Sequence, residues 1–130
     1  QLSSINKIYM DSQFEQKKIY ESEIKKKITS YKSQDLKKNR YESDKFIDFD
    51  NVVEKLVISK LKCKYCNKEI VILTNKYRDN HQWTLERINN DIGHNTDNVI
   101  ISCLECNLKR GNSNMDNFEY TKKLKINKST

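Results

Sequence analysis

The chain is poor in apolar residues and in residues that interrupt regular structure. Its 130 residues include no proline, two glycines and one tryptophan, and only 35% of them are hydrophobic. So small an apolar fraction does little to offset the conformational entropy lost when the whole chain becomes ordered. A metal staple would therefore help the fold, and the length favours one domain over two separate cores.

Long apolar runs are also missing. No stretch is long enough to span a bilayer, and no strongly amphipathic basic helix carries Trp or Phe anchors for a membrane surface. We therefore expect no membrane partner. No internal repeat is found. The first residue is not methionine, which suggests trimming or processing.

Basic residues outnumber acidic ones along the whole chain. Lys and Arg number 25 and Asp and Glu 18, which gives a formal net charge of +7. Such an excess favours a polyanionic partner, and nucleic acid fits best. The alternative is that the charge only keeps the protein in solution.

The four cysteines form two C-x-x-C pairs, Cys63 with Cys66 and Cys103 with Cys106. Each pair is typical of a knuckle that offers two thiolates on one side, so two pairs complete a tetrahedral site for structural zinc. Two disulfides are the alternative. The 33% charged residues and the lack of a signal-like apolar stretch favour zinc in a reducing, intracellular compartment: cytoplasm, nucleus or viral particle. A thioredoxin-like redox pair fits two coupled pairs badly.

Apolar spacing predicts two helices before the first cysteine pair. One begins near residue 13, and its apolar face recurs at spacings of four, four and three: Tyr20, Ile24, Ile28 and Tyr31. It is either a lysine-rich arm along phosphates or a helix docked on the core. The other is capped by Asp48 or Asp50 and leads to Cys63. Residues 1–11 show no period and are expected to be a loose lead-in.

Between the two predicted helices, residues 33–44 form a polar connector that carries three possible phosphate contacts: Lys37, Lys38 and Arg40. After Cys63, short strands are predicted at 70–73, 81–88 and 99–101, with a loop at 89–98. A helix is predicted to begin near Cys103 and end at Gly111, and another to lie within 116–124. We divide the chain into a basic helical extension (1–50), a zinc-stapled domain (51–125) and a tail (126–130).

The segment from Cys63 to Phe118 resembles the HNH endonucleases. The resemblance rests on L-E-R-I-N-N-D-I-G-H-N-T-D-N-V followed by C-L-E-C-N-L-K-R-G, which is similar to a subgroup common in phage, viral and mobile-element genes. It implies an α+β fold: a ββα-metal core with a four-cysteine zinc site, preceded by N-terminal helices. The implied function is metal-dependent hydrolysis of DNA phosphodiester bonds.

The same resemblance assigns roles to residues. Glu86 and Asn107 would hold a catalytic Mg²⁺ or Mn²⁺, because carboxylate and amide oxygens are hard ligands. Asn98 would tie the loop to the strand and orient the base, unless it is a simple turn residue. Lys109 and Arg110 would face phosphate, unless they are only solvated at a helix end.

Arg87 departs from the family pattern, because it stands where most HNH enzymes carry the histidine that activates water. A guanidinium does not accept a proton near neutral pH, so Arg87 would instead clamp the scissile phosphate. The base would come from elsewhere, with His94 the first candidate and His81 the second. Tyr65 and Tyr77 are further possibilities.

Two other functions stay open. An HNH-like zinc module that has lost catalysis would act as a DNA-binding or structural protein in a larger assembly, and Arg87 motivates this alternative. RNA is a possible substrate as well as DNA, since phosphate contacts and a metal do not distinguish the sugar. The sequence does not indicate the oligomeric state.

Overall fold

The computed structural model describes residues 1–76 and 78–111. These residues form an α+β fold, as predicted, with helices α1 to α4 and one antiparallel sheet of strands β1 and β2. In chain order the elements are α1 Leu2–Tyr9, α2 Lys17–Lys37, α3 Phe49–Ile58, β1 Trp83–Arg87, β2 Val99–Cys103 and α4 Leu104–Arg110. No helix within the described ranges is both long and apolar enough to cross a membrane.

Helix α1 corrects the prediction of a loose lead-in. Ile5 and Ile8 are buried in the core, so two apolar positions suffice to dock this short helix. The Gln1 side chain extends the docking: its Oε1 accepts from the Ile72 and Leu73 backbone N–H groups at 2.6 and 3.0 Å. The start of the chain is therefore fixed to the segment before β1.

Helix α2 is docked on the core through the predicted apolar face, with Tyr20 and Ile24 buried. One lysine of the basic run also points inward. Lys27 lies over the Trp83 ring, 4.7 Å from its centroid, and donates to the Trp83 carbonyl. Burial lowers the pKa of Lys27 to about 8, against the opposing charge of Glu23. Part of the lysine run therefore belongs to the packing of α2.

Helix α3 begins where the sequence predicted. The Asp48 carboxylate accepts from the Asn51 backbone N–H at 2.8 Å, which satisfies one of the unpaired donors at the helix start. Its apolar face is buried as expected through Val52, Val53 and Leu56. The helix ends at Ile58, and the chain then turns toward the first cysteine pair.

Strands β1 and β2 pair in an antiparallel register that runs from Trp83 opposite Cys103 to Arg87 opposite Val99. Residues 83–86 are all buried rather than alternately exposed, because helices approach the hairpin from more than one side. Residues 70–73 do not join this sheet. Val71 makes only an isolated parallel bridge to Gln82, which corrects the strand predicted there.

One hydrophobic core joins the N-terminal helices to the cysteine-bracketed segment. It includes Ile5 and Ile24 as well as Leu56, Trp83 and Leu85. This core includes residues on both sides of position 50. The helix predicted within 116–124 and the tail at 126–130 lie outside the described residues.

Candidate functional site

The four cysteines converge on one point. Their Sγ atoms all lie within 4.8 Å of one another, and all four residues are free thiols rather than disulfides. The Sγ atoms of Cys66 and Cys103 are 3.8 Å apart. Thiolates about 2.3 Å from a tetrahedral zinc ion lie roughly 3.8 Å from each other, so the cluster is compatible with a structural metal.

Backbone N–H groups donate to a cysteine sulfur in both knuckles. The Tyr65 N–H donates to Cys63 Sγ at 3.4 Å, and Asn67, with a φ of 59°, returns its N–H to the Cys63 carbonyl. In the second knuckle, Cys103 Sγ caps α4 by accepting from the Cys106 N–H at 3.4 Å. These donors stabilise thiolate, which is the form that binds a metal.

A hydrogen bond couples the thiols of Cys63 and Cys103. A hydrogen bond from Cys103 lowers the pKa of Cys63 to about 4, although burial opposes the shift. The pKa of Cys103 is raised, because its proton is held by Cys63 and its side chain is buried. A metal ion that replaced these protons would relieve the repulsion among four clustered thiolates.

Hydrogen bonds connect the cysteine centre to the hairpin. The Lys64 N–H donates to the Ile101 carbonyl of β2 at 3.0 Å. The Leu104 and Glu105 N–H groups donate to the Gln82 and Asn80 carbonyls at 3.0 and 3.1 Å, just before β1. A metal bound here would therefore fix the start of α4 against both strands.

Glu86 of β1 is buried beside Arg110 of α4. Arg110 Nη1 lies 3.7 Å from Glu86 Oε1, and the two side chains are 2% and 5% exposed. Arg110 also donates to the Arg87 carbonyl and, at 2.9 Å, to the Ile88 carbonyl. Arg110 thus lies inside the protein and does not face a phosphate, which corrects its predicted role: a cation placed there compensates the buried carboxylate.

The electrostatic state of Glu86 reflects this burial. Desolvation raises its pKa above the ordinary value, while the neighbouring Tyr65 hydroxyl and the charge of Arg110 oppose the rise. Tyr65 is itself buried, and burial raises its pKa as well. A tyrosine in that state is a poor proton acceptor, so Tyr65 does not suit the role of base.

Asn107 projects from α4 to the same face of β1. Its Nδ2 donates to Thr84 Oγ1 at 3.2 Å, and Thr84 stands two residues before Glu86 on that face. Glu86 Oε2 is a buried carboxylate oxygen with no hydrogen-bond partner among the described residues. A carboxylate and an amide oxygen are the types of ligand that a hard divalent cation prefers. That Glu86 and Asn107 bind a catalytic ion stays a prediction.

Arg87 bends back over the loop that follows it. Its Nη1 donates to the Asn90 and Ile92 carbonyls at 2.8 and 3.3 Å. Partial burial lowers the pKa of Arg87, and the nearby charge of Arg40 lowers it further. The charges of Asp35 and Asp91 act in the opposite direction and raise it.

His94 is 4% exposed and is fixed by Asp35 of α2. Its Nδ1 lies 2.8 Å from Asp35 Oδ1, and its backbone N–H donates to Asp35 Oδ2 at 2.7 Å. The Tyr31 ring packs on the imidazole, with centroids 4.4 Å apart. Burial lowers the pKa of His94, the charge of Asp35 raises it, and Arg87 adds to the lowering.

Asn98 organises the loop that carries His94. Its Nδ2 donates to the carbonyls of Gly93 at 2.9 Å and Asn89 at 3.1 Å, and its Oδ1 accepts from the Asn89 N–H at 3.0 Å. Gly93 does not have a positive φ, so its role is not conformational. It is needed for space, because a Cβ there would lie 2.6 Å from Asp35 Oδ2.

Comparisons with protein-family models, with curated proteins and with solved structures found no match. The resemblance to the HNH endonucleases thus rests on the motif residues alone.

Tyr31 of α2 contacts both the loop that carries His94 and strand β1. Its ring contacts His94, and its hydroxyl accepts from the Leu85 backbone N–H at 3.1 Å. Burial raises the pKa of Tyr31 to about 12, and the charge of Glu86 adds to the rise. Tyr31 therefore links the His94 ring to the backbone of β1 next to Glu86.

The remaining predicted residues lie at the periphery. Lys37 and Lys38 are exposed at the end of α2, where their charges also favour the helix terminus, and Arg40 is half-buried. Lys109 is exposed and pairs with Glu105 at 2.7 Å. His81 is exposed before β1. Tyr77 lies outside the described residues.

Asp35 was missed because it lies in a stretch predicted to be a polar connector, whereas α2 continues through it to Lys37. The sequence did contain a signal. Asp35 follows Tyr31 by four residues and so extends the apolar face of α2. A carboxylate in line with buried residues indicates a buried partner, which is His94.

Proposed function

We propose that the chain is an HNH-type, metal-dependent endonuclease that hydrolyses phosphodiester bonds in DNA, with structural zinc at its four cysteines. One observation carries the proposal: Asn107 of α4 donates to Thr84, which lies two residues before the buried Glu86 on the same face of β1, and Tyr31 contacts both His94 and the Leu85 backbone of that strand. The motif assigns metal binding to that carboxylate and amide, and proton transfer to that imidazole.

Glu86 and Asn107 would hold the catalytic Mg²⁺ or Mn²⁺. The buried Glu86 carboxylate supports this, because desolvation raises its pKa even beside Tyr65 and Arg110, so a bound cation would further stabilise the ionised form. When bound, the ion would offset the negative charge that develops on the phosphate and on the departing 3′ oxygen. Arg110 already places one positive charge near Glu86, and this charge limits how strongly the site would attract a metal cation.

Arg87 and Arg40 would hold the scissile phosphate, and His94 would accept a proton from the attacking water. Water oxygen forms a bond to phosphorus, the bond from phosphorus to the 3′ oxygen breaks, and the leaving oxygen takes a proton from solvent. Burial lowers the pKa of Arg87 and the charge of Arg40 lowers it further, and a phosphate bound beside both guanidinium groups would offset these effects. The exposed Lys37, Lys38 and Lys109 would extend the contact to neighbouring phosphates.

The test is cleavage by the purified, zinc-loaded chain. Supercoiled and linear DNA and a single-stranded RNA are incubated with Mg²⁺ or Mn²⁺, and products are resolved on gels. We expect DNA cleavage that falls by about 100-fold or more in Glu86→Gln and in Asn107→Ala, because each loses a hard ligand. Glu69→Gln is the matched control, since Glu69 is an exposed carboxylate outside the site. Cleavage that persists in a Glu86→Gln, Asn107→Ala double variant contradicts the proposal, and preferential cleavage of RNA changes the substrate.

A second candidate is a zinc-stapled DNA-binding module without catalysis. The ion pair between Glu86 and Arg110 favours it, because a guanidinium there satisfies the carboxylate without a metal. The Arg87 guanidinium, directed to loop carbonyls, is consistent with the same function. DNA binding by a protein with one zinc per chain, with no cleavage under any divalent ion, supports this module and excludes the enzyme.

A further inference from the structure

The contact between Asp35 and His94 joins the N-terminal helices to the candidate catalytic loop. Both side chains are almost completely buried, at 2% and 5% exposed. Each carboxylate oxygen is used once: Oδ2 accepts from the His94 backbone N–H at 2.7 Å, and Oδ1 lies 2.8 Å from Nδ1. The contact therefore fixes both the backbone and the ring of His94.

Packing around the pair leaves the carboxylate little choice of position. Tyr31, one turn before Asp35 on α2, covers the imidazole face. Gly93, next to His94, lies so close that a Cβ would be 2.6 Å from Asp35 Oδ2 and 2.5 Å from the Arg40 carbonyl oxygen. The position of the Asp35 carboxylate against His94 is thus set by α2 together with the loop that carries His94.

The pairing determines which ring nitrogen carries the proton. A carboxylate only accepts hydrogen bonds, so Nδ1 must be the donor in this contact. Burial lowers the pKa of His94, which favours the neutral ring at neutral pH. In a neutral ring with a proton on Nδ1, Nε2 is the nitrogen that accepts protons.

We propose that Asp35 is a positioning residue, whose carboxylate holds His94 in the Nδ1–H form and directs Nε2 as the proton acceptor for phosphodiester hydrolysis. The catalytic part of this inference rests on the proposed function. It also makes the N-terminal helices part of the site, since Asp35 lies on α2, outside the segment that resembles HNH enzymes.

The tautomer is measured directly. The full-length, zinc-loaded protein is labelled with ¹⁵N, and long-range ¹H–¹⁵N spectra report the protonation of both imidazole nitrogens at pH 7.5. His94 and His81 are the only histidines, so a His81→Gln variant assigns the signals. We expect the Nδ1–H form at His94 in the wild type. An Nε2–H form there overturns the proposal without recourse to any variant at Asp35.

Asp35→Asn then tests the consequence. An asparagine that accepts from the His94 N–H with its oxygen presents its NH₂ to Nδ1, so the ring should switch to the Nε2–H form. We expect that switch and a fall in DNA cleavage of about 10²- to 10⁴-fold, the range in which a positioned base contributes. Asp44→Asn, an exposed carboxylate before α3, is the matched control and should change neither readout.

A merely structural role predicts a different result. Asp35→Asn would then lower the unfolding midpoint but leave the tautomer and the cleavage per folded molecule unchanged, and this outcome overturns the proposal. An active wild type whose cleavage is lost in His81→Gln and kept in His94→Gln overturns it too. An Nδ1–H ring in a wild type that cleaves no DNA or RNA refutes the proposed function and the catalytic part of the inference, and supports only the tautomer.

Discussion

Replacing Arg110 with methionine should strongly destabilise the protein, although Arg110 is the last residue of a short helix near the surface. The substitution removes the only charge partner that the structure places within 4 Å of Glu86 among the described residues. It also removes the donors that reach the Arg87 and Ile88 carbonyls. Methionine is long and apolar enough to occupy most of the space, so the loss is mainly electrostatic.

The size of the destabilisation depends on whether the buried Glu86 carboxylate stays ionised or takes up a proton. Breaking a buried ion pair by removing one partner typically costs about 3–5 kcal/mol. Glu86 can avoid ionisation by taking up a proton. From an ordinary pKa of 4.5, protonation at pH 7 costs about 3.4 kcal/mol, at roughly 1.4 kcal/mol for each pH unit. We therefore expect Arg110→Met to lower the free energy of unfolding by about 3–4 kcal/mol at pH 7.

The same reasoning fixes the pH dependence. Without Arg110, the folded-state pKa of Glu86 lies further above its unfolded value, so the stability linked to the protonated form is present below pH 4.5 and lost as the pH rises. Protonation at pH 5 costs only about 0.7 kcal/mol. The deficit of Arg110→Met relative to wild type should therefore be about 2–3 kcal/mol smaller at pH 5 than at pH 7.

The assay is urea unfolding followed by the fluorescence of Trp83, which is the only tryptophan and is fully buried. Lys109→Met is the control, because it removes an exposed cation from the adjacent position of α4 and should leave the midpoint unchanged. In the double variant Glu86→Gln, Arg110→Met, most of the loss should disappear. A deficit below about 1 kcal/mol, or one that does not depend on pH, would refute the buried pair.

Three further predictions concern the cysteine centre and the loop. Chelation of zinc, or Cys66→Ser, should unfold the protein and release one zinc ion per chain, because structural zinc contributes about 10–16 kcal/mol in small domains; circular dichroism and metal analysis measure both. In the folded protein the pKa of His94 is lowered, so the stability linked to its neutral form is complete above pH 6.5 and is lost as the pH falls. His94→Gln should therefore reduce the loss of stability on acidification, as measured by urea midpoints at constant zinc content. Gly93→Ala should cost about 1–3 kcal/mol, because the added methyl meets the Asp35 carboxylate; an unchanged midpoint would contradict that contact.

The features that the sequence predicted correctly are those set by local chemistry. Asp48 caps α3 because its carboxylate reaches an N–H three residues on. Gly111 ends α4 with a φ of 51°, which few other residues adopt easily. Each C-x-x-C pair forms a knuckle because its backbone N–H groups reach a sulfur two or three residues away. None of these depends on knowing the tertiary arrangement.

The features that were missed depend on distant partners. Helix α1 offers only Ile5 and Ile8 to the core, too short a pattern to predict until the surface that receives it is known. Arg110 looks like an exposed basic residue at a helix end, and only the position of Glu86 across the hairpin explains why it is buried. Asp35 likewise has meaning only through His94, 59 residues further along the chain. Local pattern does not contain these pairings.

The burial of four ionisable side chains is difficult to explain by stability alone. Asp35, Glu86, His94 and Arg110 are each at most 5% exposed, in a chain with little apolar material to compensate for their desolvation. Apolar residues of similar volume often stabilise a core as well as a buried ion pair does, or better. All four lie around one end of a single hairpin, whereas charges that served only as occasional packing solutions would be scattered. Desolvated, paired groups gathered in one place are typical of functional sites, which gives the hairpin end the strongest physical claim to the chemistry of this protein.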